Sequence, residues 1–184
     1  SYLRFQAYSD KFRILEDAEI KLYDLLGNKK NTWTKKEMNS GKYGDDLVPD
    51  GKYTFFYVNA ASYPVTVEIN YSIRLKGILG LPDYNVQSAW QSVQHSVYEV
   101  EVPADLGVRY KLSNTDLKPS ISKNGNKETY RWELNNLPAF KLEKHSGPSD
   151  GYLPQVFIAP NKFQLDEYDG DMTSWKNYGR WIND

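Results

Sequence analysis

The sequence predicts an all-β protein, a mostly antiparallel β-sandwich of two sheets with a short C-terminal helix. Three observations carry that prediction. Apolar and polar side chains alternate over long runs, turn-forming dipeptides separate the runs, and aromatics make up 15% of the 184 residues, 15 of them Tyr. Alternation is the period of a strand with one apolar and one solvated face. Aromatic and β-branched side chains suit pleated, half-buried surfaces. No internal repeat, low-complexity tract or linker interrupts the pattern, so residues 1–184 read as one domain.

In chain order, Phe12 and Ile14, then Ala18, Ile20 and Leu22, alternate with Arg13, Glu19 and Lys21 to give a first strand. Gly27-Asn28 supplies a turn before Thr32-Trp33-Thr34. Lys29, Lys30, Lys35 and Lys36 flank Trp33 and read as guards of a sheet edge, where charge opposes pairing with another chain. A nucleic-acid or glycan surface would need a wider basic stripe. Residues 39–49 are polar and contain glycine, which predicts a loop. Asp50-Gly51 then turns into residues 52–59, KYTFFYVN, apolar on both faces and so a central strand.

Pro64 opens the clearest alternation in the chain. Val65, Val67, Ile69, Tyr71, Ile73 and Leu75 share one face, predicted to point into the core with its register firmly set. The sequon Asn70-Tyr71-Ser72 lies inside this strand and carries no weight there. Residues 77–85 connect to an extended segment from about Ser88 to Val102, and Val108, Tyr110 and Leu112 mark a short strand. A hairpin from Ile121 to Leu134 is predicted to turn at Asn124-Gly125, with Tyr130, Trp132 and Leu134 facing the same core. Pro138 cannot donate to a ladder and ends that strand. Residues 139–143 resume an extended pattern, the polar run His145 to Gly151 turns the chain, and residues 155–159 form a last strand. After Asp169-Gly170-Asp171, Thr173 or Ser174 can cap a helix that carries Trp175, Tyr178, Trp181 and Ile182 at spacings of three and four.

Chemistry is thinly signalled. A net charge of −1 gives no field for a polyanion or an anionic membrane, and no run approaches the roughly 18 apolar residues of a spanning helix. The sequence contains no cysteine, which removes a thiol nucleophile, disulfides and thiolate metal ligands from this chain. His95 and His145 are its two histidines, and neither has a serine elbow or a ligand pattern beside it. The acidic run Asp166, Glu167, Asp169, Asp171 invites a calcium reading. With Gly170 as the loop glycine, however, the first ligand would be Leu165 and the twelfth Lys176, so a solvated turn is expected. Asp45, Asp46 and Asp50 read the same way. No catalytic residue, metal site or cofactor site is assigned. The aromatic excess admits a carbohydrate platform, for which Trp33 and Trp90 are the candidates outside the cleanest stripes.

Several segments, taken in order, resemble a known family: Asp50-Gly51-Lys52-Tyr53, Ser62 to Glu68, Tyr98 to Pro103, Tyr130-Arg131-Trp132 with Pro138-Ala139 and Glu143, Pro154-Gln155-Val156, and Ser174-Trp175 with Gly179-Arg180-Trp181. From about Phe12 to Trp181 the chain resembles the β-rich domain of unknown function found N-terminal to transglutaminase-like domains in bacterial, Bacteroidetes-type cell-envelope proteins. The resemblance implies a β-sandwich accessory domain that is exported, periplasmic or at the cell surface, and non-catalytic. It would position or assist a downstream transglutaminase-like, cysteine-protease-like domain. It also implies that residues 1–184 are a fragment of a longer chain, with N-terminal strands missing before Ser1. The helix near 173–184 would lead to the downstream domain, making Trp175, Tyr178 and Trp181 interdomain docking residues. A peptide or polysaccharide is the further partner implied, with no cofactor and no nucleic acid. The competing reading is a cell-surface carbohydrate-binding module using Trp33 and Trp90.

Overall fold

The structure is a computed structural model that describes residues 3–42, 51–77, 80–165 and 167–183. Every strand pair among the described residues is antiparallel, and one short α-helix follows the strands, so the chain is all-β as its alternation predicts. Contacts group it into two compact units, Ser1–Lys76 and Gly77–Asp184, where the sequence reading expects one domain.

The first unit holds β1 (Leu3–Ser9), β2 (Arg13–Tyr23), β3 (Lys29–Thr34), β4 (Asn39–Lys42), β5 (Lys52–Val58) and β6 (Thr66–Leu75). They form two three-stranded sheets, β1-β5-β4 and β3-β2-β6. Phe5, Ala7 and Val58 of the first sheet meet Leu15, Ala18, Ile20 and Leu22 of the second in one buried core. As expected, β5 is central and β3 is an edge. Strand β1 is not anticipated, although Phe5, Ala7 and Ser9 alternate in burial along it. Strand β4 falls where a loop is expected: Asn39–Lys42 pairs with β5 through its backbone, which an edge strand can do without apolar side chains. Asp45, Asp46 and Asp50 lie outside the described residues.

Two features of this unit depart from simple alternation. A bulge in β2 between Leu15 and Asp17 inserts one residue and flips the parity. Leu15 rather than Ile14 therefore joins Ala18 and Ile20 in the core. The second is β6, the cleanest alternation in the sequence. It is an edge strand whose apolar face is only partly covered. Val67 and Ile73 pack against the core, while Ile69, Tyr71 and Leu75 are 39%, 58% and 43% exposed. A unit this small has too little interior to cover a ten-residue edge strand.

The second unit holds β7 (Tyr84–Asn85), β8 (Val93–Pro103), β9 (Val108–Ser113), β10 (Ser120–Asn124), β11 (Lys127–Leu137), β12 (Gln155–Pro160), β13 (Lys162–Leu165), β14 (Tyr168–Asp171) and helix α1 (Trp175–Asn183). The sheets β10-β11-β8 and β7-β12-β9 enclose a core of Tyr84, Val86, Val100, Val102, Tyr130, Trp132, Val156 and Ile158. Trp132 is fully buried at its centre, with the rings of Tyr98, Tyr110 and Tyr130 at 5.8, 5.4 and 6.2 Å. The apolar faces of β6 and β11, expected to share one core, belong to two.

Three local expectations are corrected here. The hairpin loop is Gly125-Asn126, because Asn124 pairs with Lys127. The positive φ of +59° falls on Gly125, the first loop residue, where both primed turns need it. Residues 139–143 form no strand. The stretch containing Glu167, Asp169 and Asp171 is the end of a hairpin, β13-β14, rather than a plain turn. Asp166 lies outside the described residues.

Candidate functional site

The best-defined feature that offers chemistry to solvent is the C-terminal helix and the hairpin beneath it. Asp171, at the end of β14, accepts hydrogen bonds from the Thr173 hydroxyl and then the Thr173 amide (2.6 Å), which hold its carboxyl below the usual carboxylate range. Ser174 is the N-cap: its Oγ accepts from the Asn177 amide at 3.1 Å, satisfying one of the donors that a helix start leaves open. The Asn177 side chain donates to Thr173 Oγ1 at 3.1 Å. The cap expected at Thr173 or Ser174 is thus divided, with Ser174 closing the helix and Thr173 fixing the approach to it.

Phe163 of β13 anchors the helix. Its ring is 3% exposed and lies edge-on to Trp181 at 4.8 Å and to Tyr178 at 6.3 Å. Tyr178 and Trp181 stack on each other at 6.1 Å. Gly170, the register partner of Phe163, makes room for the ring, since a Cβ there would run into it. Of the three aromatics predicted to dock, Tyr178 and Trp181 are half-buried on their own hairpin. Trp175 is 89% exposed, and Ile182 on the same helix is 60% exposed. Arg109, Met172, Thr173, Ser174, Trp175 and Tyr178 line a groove of about 470 Å³, in which the Arg109 guanidinium donates to the Met172 carbonyl. Neither Arg109 nor Phe163 stands out in the sequence. Both contacts form only when β9 and β13 meet the helix region, and no local pattern announces them.

The other candidates are placed as follows. Trp33 in the first unit is half-buried, its ring 5.0 Å from Phe56, and it packs against the core. Trp90 in the second unit is 60% exposed, sits at φ +68°, and has Lys141 Nζ 5.9 Å from its ring centre. His95 is exposed and pairs with Glu133 at 2.8 Å. His95 first and Arg131 second hold the Glu133 carboxyl below its ordinary range. His145 is an exposed turn residue at φ +68°. Among the described residues no group of three His, Cys, Asp or Glu is placed to hold a metal ion, and no helix is long and apolar enough to cross a membrane.

Fold and site together define a β-rich module that ends in a capped helix presenting an indole to water. The chain belongs to the DUF3857 family, a domain of unknown function with solved structure, whose model matches residues 4–141. The match stops before β12, so the helix lies outside it. The fold is similar to that of a crystal structure from Parabacteroides distasonis ATCC 8503, described as a "putative protease", with a TM-score of 0.70 at 14% identity. That likeness covers 85% of this chain and 32% of the other, so this chain spans about a third of the relative's length. No curated protein matches the sequence.

Proposed function

We propose that this chain is a non-catalytic accessory module, exported to the periplasm or cell surface, that positions or assists a downstream transglutaminase-like domain of the same polypeptide. The observation that carries this reading is Trp175, 89% exposed on a helix whose neighbouring aromatics are fixed on Phe163. An exposed indole is the kind of anchor that dominates contact energetics. Two further facts support it. The similar Parabacteroides distasonis structure is described as a "putative protease" and extends well beyond the matched third. This sequence has no cysteine, so a cysteine nucleophile would come from another part of the polypeptide.

The test uses residues 1–184 and the segment encoded after them as separate proteins, titrated by indole fluorescence. Association is expected, weakened on the order of tenfold or more by Trp175→Ala, with the circular dichroism of the module unchanged. In the joined protein the same variant should lower turnover of a peptide substrate. Turnover by residues 1–184 alone, or association indifferent to Trp175→Ala, overturns the proposal.

The carbohydrate alternative retains Trp90 as an exposed ring, whereas Trp33 is committed to Phe56. Polysaccharide titrations of the wild type and Trp90→Ala test it, and quenching that Trp90→Ala removes would favour it over docking.

A further inference from the structure

We propose that a lysine-walled cleft in the first unit binds a phosphate-bearing small molecule. The cleft measures about 590 Å³ and is lined by Ser9, Asp10, Lys35, Lys42, Lys52 and Thr54 among others, within the ordinary size of a small-ligand site. Ser9 and Thr54 are 7% and 5% exposed and are the buried polar side chains among the described residues of the whole chain. Both line this cleft. Polar side chains are seldom buried without a use for their hydrogen bonds. The Ser9 hydroxyl accepts from the Leu15 amide at 3.1 Å, which leaves its own proton free to donate.

The walls carry the charge. Lys42 on β4 and Lys52 on β5 are direct cross-strand partners, a like-charge pair that a sheet ordinarily avoids. Neither forms an ion pair among the described residues. Lys35 comes from the short 3-10 turn Lys35–Glu37. Its ammonium donates to the carbonyls of Leu15 and Glu16 at the β2 bulge, and this holds it in place with a third donor unused among the described residues. The opposing carboxylate, Asp10, is occupied: its Oδ1 accepts from the amides of Phe12 (2.8 Å) and Arg13 (2.7 Å). Among the described residues three ammonium groups face one engaged carboxylate, a surplus that a phosphate dianion would balance. Lysines bind phosphate as point charges, and the described lining of the cleft supplies its positive charge through lysines. In the sequence Lys35 reads as an edge guard, and Lys42 and Lys52 carry no signal, because only the sheet brings them together.

The experiment titrates the whole chain at low salt with glycerol 3-phosphate, inorganic phosphate, glycerol and citrate, by calorimetry. Saturable binding of glycerol 3-phosphate is expected, with glycerol silent and citrate weaker. Equal affinity for inorganic phosphate would mark free phosphate as sufficient, and tighter glycerol 3-phosphate would mark an esterified source; either supports the site. Lys42→Gln with Lys52→Gln should weaken binding at least tenfold, and Lys36→Gln, which does not line the cleft, should not. Without ligand, Lys42→Gln should raise the melting temperature by removing like-charge repulsion, a readout that a merely structural lysine would move the other way. Absence of binding, equal loss in Lys36→Gln and the cleft variants, or citrate binding as well as the phosphates would each overturn the proposal.

Discussion

Removing the Phe163 ring is expected to release the C-terminal helix while the rest of its unit stays folded. Phe163 is 3% exposed, and burial of such a ring stabilises by about 1.5–3 kcal/mol. Its edge contacts with Trp181 and Tyr178, at 4.8 and 6.3 Å, add about 0.5–1.5 kcal/mol each beyond area. The sum is consistent with the roughly 3–5 kcal/mol usually lost when a buried Phe becomes Ala. Helix α1 has nine residues, and isolated helices below about 12–15 residues are marginal in water. A lone two-stranded hairpin such as β13-β14 is no better off. In Phe163→Ala, hydrogen exchange of the α1 and β13-β14 amides should therefore speed up on the order of a hundredfold or more, as a loss of that size implies. Amides of β8 and β11 around Trp132 should keep their protection. Wild-type protection across α1 would refute the anchoring argument. Equal loss in β8 and β11 would show that the hairpin and helix are not a separable element.

Gly170→Ala should produce the same local loosening from the other side, because its Cβ would collide with the Phe163 ring; exchange over α1 reads it. Gly125→Ala places a Cβ in open space but at φ +59°, so it should cost about 1–2 kcal/mol from backbone strain alone, visible as a lower melting temperature with unchanged near-ultraviolet dichroism. In the first unit, Lys30 and then the Asn28 amide hold the Asp24 carboxyl below its usual range. The stabilisation from that lowered pKa is complete above the unfolded carboxylate range and is lost as pH falls through the folded value. Asp24→Asn should accordingly flatten the acid limb of that unit's stability. In the second unit, burial pushes Tyr98 and Tyr130 up to about 12 from 10.0. That contribution is intact below pH 10 and is lost as pH rises toward 12; phenolate absorbance should rise together with unfolding, and Tyr130→Phe should shift the alkaline limb upward.

The elements that were legible in the sequence are those whose signal is local. The Val65–Leu75 alternation located β6, the glycine near position 125 located a hairpin, and Ser174 followed by aromatics three residues apart located α1. Alternation reports that a strand has two unlike faces. It does not report depth, so Trp132 at the centre of a core and Tyr71 at 58% exposure gave the same reading. It also does not count cores, and one sandwich was therefore expected where each unit closes two three-stranded sheets on its own interior. The β2 bulge was illegible for the opposite reason. A single inserted residue inverts the faces without leaving a composition cue, which moved Leu15 inward in place of Ile14.

The surfaces proposed to carry function were hidden more deeply, because they depend on residues that meet only through the sheet ladder. Which helix aromatic faces water was decided by Phe163, twelve or more positions upstream and just ahead of the acidic run that reads as a solvated turn. With Phe163 in place, Tyr178 and Trp181 have a ring to cover, while Trp175 meets only the edge of Tyr178 at 6.5 Å and stays 89% exposed. The aromatic most fit for docking is thus the one left over by the packing of the others. The same logic holds for Lys42 and Lys52. Each is unremarkable in its own strand, and only antiparallel pairing sets the two like charges side by side near two buried hydroxyls. An ionic or aromatic site assembled by sheet register leaves no spacing rule in the sequence, since the loop that joins its strands can take any length the turn permits.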